Sequence, residues 1–245
     1  MIHFITNISP RRFAQLLASD WTNIRRDPTL LAVFAATFVM ILAMWRLIPW
    51  FDQLGLVAFG WPHMSDYLIA FVLCLPAMPI GWVVGFLFLE ERDDGPMAAI
   101  AVTATGLSGL LAYRLSATWV LAAAQGYLGC RLLLSTPSTL VLVVLPLLIG
   151  VQAAIIALLL PAIARNKVEG LALTKVFNIT ALVPLLAVMD SPLKYLGAIV
   201  PTYWVGELMG LGEVALPPLV AAVLAVLVHG LVFAAVYRWA GGFLK

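Results

Sequence analysis

The chain has 245 residues, of which 63% are hydrophobic and only 11% charged, with a mean hydropathy of +1.05, whereas a soluble domain carries roughly 25% charged residues. That composition excludes a water-soluble fold, and a net charge of +2 without a basic tract argues against nucleic acid as a partner. The two cysteines, Cys74 and Cys130, both lie in apolar runs and form neither a disulfide framework nor a C-x-x-C metal or redox site.

The first 28 residues hold Arg11, Arg12, Arg25 and Arg26 but no unbroken apolar core or small-residue cleavage site, so no removable signal peptide is expected. Phe13, Leu16, Leu17, Trp21 and Ile24 recur at helical spacing opposite Arg12, Gln15, Ser19 and Asn23, which predicts an amphipathic helix lying in the membrane interface. Asp27 then caps a helix with Pro28 at its first position, opening a span over 29–48. A span needs about 20 mostly apolar residues. Further stretches of this kind follow at 66–89, kinked by Pro76, Pro79 and Gly81, and at 110–130, 138–164, 168–189 and 217–239. The expected organisation is residues 1–28 as a cytoplasmic amphipathic helix and 29–245 as one transmembrane domain.

On this scheme ten of the 14 Lys and Arg fall on one side, Arg46, Arg131 and Lys194 on the other, and Lys175 inside the fifth span. The positive-inside rule then places both termini in the cytoplasm. The connection 190–216 is long, apolar and aromatic, yet broken by Pro192, Pro201 and Gly206. Long structureless connections are uncommon, so two short helices dipping into the outer leaflet are expected, with Tyr203, Trp204 and Glu207 as outer-gate candidates.

The second span ends in Glu90-Glu91-Arg92-Asp93-Asp94-Gly95, followed by Pro96, by Met97, Ile100 and Ala101 on one side of a short helix, by Val102-Thr103, and by Tyr113-Arg114. This stretch resembles the first cytoplasmic loop of type-2 ABC transporter permeases, a charged E-x-[KR]-[DE]-x-G-T, an apolar stretch, V-T-P and Y-x-x-[AG]-[KR]. Pro96 stands for the usual Thr and Ala104 for the usual Pro. A second stretch, Asn166-Lys167-Val168-Glu169-Gly170 with Ala172 and Lys175, looks like that family's N-K-[VL]-[EQ]-G-x-A-x-x-K segment, and Pro184 follows it.

The resemblance implies an all-α membrane protein with six transmembrane helices, an N-terminal interfacial helix, a cytoplasmic coupling helix and an outer re-entrant helical segment. It also implies that Glu90, Glu91, Arg92, Asp93, Gly95, Met97, Ile100 and Arg114 couple the spans to a separate ABC ATPase subunit, two copies of which would serve two permeases, identical or related. The chain has no G-x-x-x-x-G-K-[ST] loop, so ATP and Mg belong on the partner and no cofactor, metal or catalytic residue is expected here. The implied setting is the cytoplasmic membrane of a bacterium, and the implied activity is ATP-driven export. Small external loops suit an amphipathic or hydrophobic substrate that enters sideways or from the cytoplasm.

Polar residues inside the predicted spans are Gln125, Gln152, Lys175, Asn178 and His229, and Thr174, Lys175 and Asn178 share a face that could line a path or a dimer seam. More often such groups bond a neighbouring helix. An ion-coupled secondary transporter is the first alternative, although such proteins usually place an acid at the midplane or show repeat symmetry. A membrane-embedded lipid-modifying enzyme is the second, but the Arg and the two further Asp of a CDP-alcohol transferase motif are missing after Asp93-Asp94-Gly95.

Overall fold

The computed structural model describes residues 10–26, 28–93, 106–212 and 215–240, and among these every regular element is a helix. In chain order they are α1 (Pro10–Arg26), α2 (Pro28–Phe59), α3 (Met64–Cys74), α4 (Ala77–Asp93), α5 (Gly106–Leu133), α6 (Thr139–Ile163) and α7 (Lys167–Asn178), then 3₁₀ helices over Ile179–Val188 and Pro192–Ile199, α8 (Tyr203–Met209) and α9 (Pro218–Ala240). Among the described residues six segments are long and apolar enough to cross a membrane: Ala35–Phe59, Met64–Asp93, Gly106–Leu133, Thr139–Ile163, Lys167–Val188 and Pro218–Ala240. The chain is therefore an all-α, multi-pass membrane protein. The expected coupling helix falls largely on 94–105, outside the described residues.

Two boundaries differ from the sequence expectation, and the kink expected near Pro76 is a full break between helices. The first helix does not stop at Ile48 but runs through Pro49 to Phe59, because a proline removes only one helical hydrogen bond and the residues beyond it are still apolar. It ends at left-handed Gly60 (φ +70°), whose N–H still bonds the Leu56 carbonyl at 3.1 Å. The second span is two helices, α3 and α4, parted at Leu75–Pro76. The fifth is α-helical only to Asn178 and continues as a 3₁₀ helix containing Pro184. Pro184 has no N–H to offer the Thr180 carbonyl four residues back, and that carbonyl instead accepts from the Thr202 hydroxyl at 2.6 Å.

Helix α6 sits at the centre. Gly81 of α4 faces it so closely that an added Cβ would lie 2.7 Å from the Ala153 carbonyl oxygen, and Gly150 of α6 is equally tight against the Trp119 carbonyl of α5 at 2.6 Å. Small residues let helix backbones approach where lipid supplies no hydrophobic drive for association. The second and fourth spans are accordingly 78% and 61% buried, while the first and fifth are each 17% buried and turn apolar surface outward.

Candidate functional site

The end of α4 and the α6–α7 connection meet at one end of the bundle, together with α1. Arg114 of α5 is buried there, 3% exposed, between two carboxylates. Its Nε and Nη2 donate to Asp20 of α1 at 3.1 and 2.9 Å, and its Nη1 and Nη2 donate to Glu91 at 2.6 and 2.7 Å. The guanidinium also lies 5.0 Å from the centre of the Phe88 ring. Next to it, buried Tyr113 meets Phe13 of α1 edge-on at 5.0 Å. The Tyr113-Arg114 pair of the sequence motif thus clamps the amphipathic helix to the end of α4. Sequence reasoning missed Asp20, which shares the inward face of α1 with Phe13 and Leu16 and lies 94 residues from its partner.

Arg92 closes the end of α6. Its Nη1 donates to the Pro161 carbonyl at 3.0 Å, and its Nη2 donates to those of Ala164 and Arg165, each at 2.9 Å. A cation at a helix C-terminus satisfies carbonyls that have no intrahelical partner. Asp93 lies beside Arg92 at 3.4 Å. Asn166 then caps α7, its Oδ1 accepting from Glu169 N–H at 2.9 Å, while Glu169 Oε2 reaches back to Arg165 N–H at 2.9 Å. Sequence reasoning did not single out this cap. Gly170 allows the first turn of α7 to touch α4, since a Cβ there would sit 2.9 Å from Phe86. Lys167 pairs with Glu90 at 2.8 Å. Of the predicted coupling residues, Glu91, Arg92 and Arg114 are thus engaged within the chain, and Gly95, Met97 and Ile100 lie outside the described residues.

Between α3–α4 and α7 with its 3₁₀ extension lies a cavity of about 520 Å³. Its wall is mainly apolar and aromatic, including Phe71, Trp82, Phe86 and Leu171, and Glu90 and Lys167 form its charged end. Thr174 and Asn178 line it as well, whereas Lys175 is exposed and is not part of the wall. The Trp82 indole N–H donates to Asn178 Oδ1 at 3.2 Å, and its ring packs 5.8 Å from Phe177. Trp82 was not singled out from sequence because its partner is 96 residues away.

At the other end the two short helices, Pro192–Ile199 and α8, fold in against the bundle as the proline-broken pattern predicted. Glu207, expected at a gate, is buried: Oε2 accepts from the Tyr203 hydroxyl at 2.8 Å and faces Lys194 Nζ at 3.6 Å, and Oε1 accepts from Leu216 N–H at 2.8 Å. Trp204 Nε1 donates to the Ala198 carbonyl at 3.0 Å, joining the two short helices. Below them Gln152 Nε2 donates to the Pro201 carbonyl at 3.3 Å and to His229 Nε2 at 3.0 Å, while His229 Nδ1–H donates to the Ala225 carbonyl at 2.7 Å. His229 therefore has partners that the sequence did not reveal, and it joins α9 to α6 and to the re-entrant segment.

Gly206 seats α8. A Cβ there would run into the Pro184 carbonyl and lie 3.1 Å from Ala187 Cβ, and a backbone carbonyl cannot swing aside as a side chain can. Gly206→Ala is expected to cost about 3 kcal/mol, the upper part of the range for overpacking. The loss is to be read as a lower melting temperature of the purified protein in detergent, with Gly230→Ala, which meets nothing within 4 Å, as the unaffected control.

Among the described residues no cluster of His, Cys, Asp and Glu is arranged to hold a metal ion. The features left to explain are a braced charged end, an aromatic cavity and an inward-folded segment opposite. No solved structure matches the chain. It is 27% identical over 205 residues, 81% of either chain, to the fluoroquinolones export permease proteins of two Mycobacterium tuberculosis strains, CDC 1551 / Oshkosh and ATCC 25618 / H37Rv. The family profile described as "Fluoroquinolones export permease protein Rv2686c-like" matches residues 20–237, which takes in both the Asp20 clamp and the last span. With six membrane-crossing segments and that match running from α1 to α9, the chain belongs to the Rv2686c-like family of export permeases.

Proposed function

We propose that this chain is the membrane subunit of an ATP-driven exporter of amphipathic, drug-like molecules, working as one of two permeases on two separate ABC ATPase subunits. Both termini and the charged end face the cytoplasm, in keeping with the distribution of Lys and Arg. The observation that carries the reading is the bracing of the charged segment. Through Arg92 and Arg114 the end of α4 is tied to α1, α5 and α6. A push on the adjoining loop is therefore delivered to several spans at once, as a two-state bundle requires. Substrates are drugs of the kind for which the relatives are named.

The test is co-purification from native membranes through a tag on this chain, with an ATPase assay on what is recovered. An ATPase subunit in equal amount is expected, lost on Ile100→Asp while the permease itself melts unchanged. Glu91 and Arg92 are poor probes of docking because replacing either disturbs the permease from within. An ion-coupled transporter is the second reading, favoured by the buried Lys194–Glu207 pair. Recovery of the chain without any nucleotide-binding subunit, with uptake or export driven by an ion gradient, would establish it instead.

A further inference from the structure

We infer that the cavity between α4 and α7 binds flat aromatic zwitterions, and that the Glu90–Lys167 pair opens so that each partner takes the ligand's opposite charge. The inference rests on the export reading above and assigns its substrate site. Three observations carry it. First, the cavity measures about 520 Å³, within the range of roughly 300–1,000 Å³ usual for drug-sized ligands.

Second, the aromatic wall is held in place. Trp82 is fixed by its indole N–H on Asn178 Oδ1 and by packing against Phe177, and Phe86 and Phe71 lie on the same wall. Aromatic faces that are already oriented favour stacking of a planar ring without the entropy cost of ordering a mobile side chain. From Lys167 to Asn178 the cavity follows a helix of 12 residues, roughly 16 Å from first to last at about 1.5 Å per residue, the length of a two- or three-ring molecule with a polar tail.

Third, the charges at its end are of both signs and weakly committed to each other. The Glu90 and Lys167 side chains are 46% and 48% exposed, and ion pairs so open to solvent contribute little, so exchanging one for two ligand contacts is cheap. The Arg114 site is the opposite case, 3% exposed and saturated by Asp20 and Glu91. A lipid acyl chain would also fill an apolar groove, but it carries no charges to engage Glu90 and Lys167 at the cavity's end.

The test uses the full chain in nanodiscs and three probes built on one quinolone ring: the amino acid itself (zwitterion), its carboxyl ester (cation) and its N-acyl form (anion). The zwitterion is expected to bind most tightly. Lys167→Gln should weaken zwitterion and anion by about tenfold and spare the cation, Glu90→Gln should weaken zwitterion and cation alike, and Trp82→Ala should weaken all three. The swapped double variant Glu90→Lys with Lys167→Glu should restore zwitterion binding, which separates recognition from misfolding. Affinities within twofold of wild type in all these variants, or binding that added phospholipid abolishes regardless of probe charge, would overturn the site. Failure of the site alone would leave drug-stimulated ATPase activity of the co-purified complex intact in Trp82→Ala. Failure of the export reading would remove that activity from wild type too.

Discussion

Arg114→Ala is expected to be among the most damaging single changes in this protein. Removing one member of a buried ion cluster costs about 3–5 kcal/mol, because the charges that remain are still shielded from water. Here two carboxylates, Asp20 and Glu91, would be left facing an empty guanidinium site, and Phe88 would lose its cation. That loss is comparable to the 5–15 kcal/mol by which most domains are stable at all. The expected result is a sharp fall in monodisperse protein on size exclusion and a melting temperature lowered by many degrees. Arg114→Lys should recover little, since an ammonium cannot serve two carboxylates with paired, coplanar N–H groups. A triple change, Arg114→Met with Asp20→Asn and Glu91→Gln, should recover more of the stability than Arg114→Lys, because no buried charge then lacks its counterpart. If Arg114→Ala instead melts as wild type, the clamp between α1 and α4 is not what holds the charged end.

The second large effect is expected at Glu207. Its two oxygens serve the Tyr203 hydroxyl, Leu216 N–H and the Lys194 ammonium in a site where both charged side chains are almost fully buried, at 1% and 2% exposure. Glu207→Ala removes the carboxylate from all three and should cost about 3–5 kcal/mol. Glu207→Gln keeps an acceptor for Leu216 and should cost about half as much, the charge being lost but not every hydrogen bond. The paired change Lys194→Met with Glu207→Gln should melt closer to wild type than Glu207→Ala, because no buried charge then lacks its counterpart and Leu216 N–H keeps an acceptor. That double variant also tests the proposed outer gate: with stability preserved, drug efflux from cells expressing the variant should drop if the polar cluster is needed for opening. Unimpaired efflux would make the cluster purely structural.

The two sequence motifs have a physical content different from simple contact with a partner. In the N-K-V-E-G stretch, Asn166 and Glu169 cap α7, Lys167 reaches Glu90, and Gly170 makes room for Phe86. In the charged stretch, Arg92 closes α6 and Glu91 receives Arg114. Both motifs converge on one end of the bundle and make it rigid, and a rigid mounting is what a loop transmitting mechanical work needs beneath it.

Some of this was legible in the chain alone. Six spans follow from apolar runs of sufficient length, because a bilayer sets that length and leaves the backbone no alternative but helix. The amphipathic α1, the kink near Pro76 and the broken segment after Asp190 are local features, each decided by neighbours a few residues apart. Other features depended on residues far apart in sequence. Nothing near Asp20 announces Arg114, nothing near Trp82 announces Asn178, and Gln152 gives no sign that it will bridge Pro201 and His229. The Thr180 carbonyl likewise takes its side-chain donor from Thr202, on the re-entrant segment. Helix formation in a membrane is a local consequence of backbone hydrogen bonding, whereas the pairing of buried charges and the shape of a cavity depend on which helix faces meet, and only the packed bundle decides that.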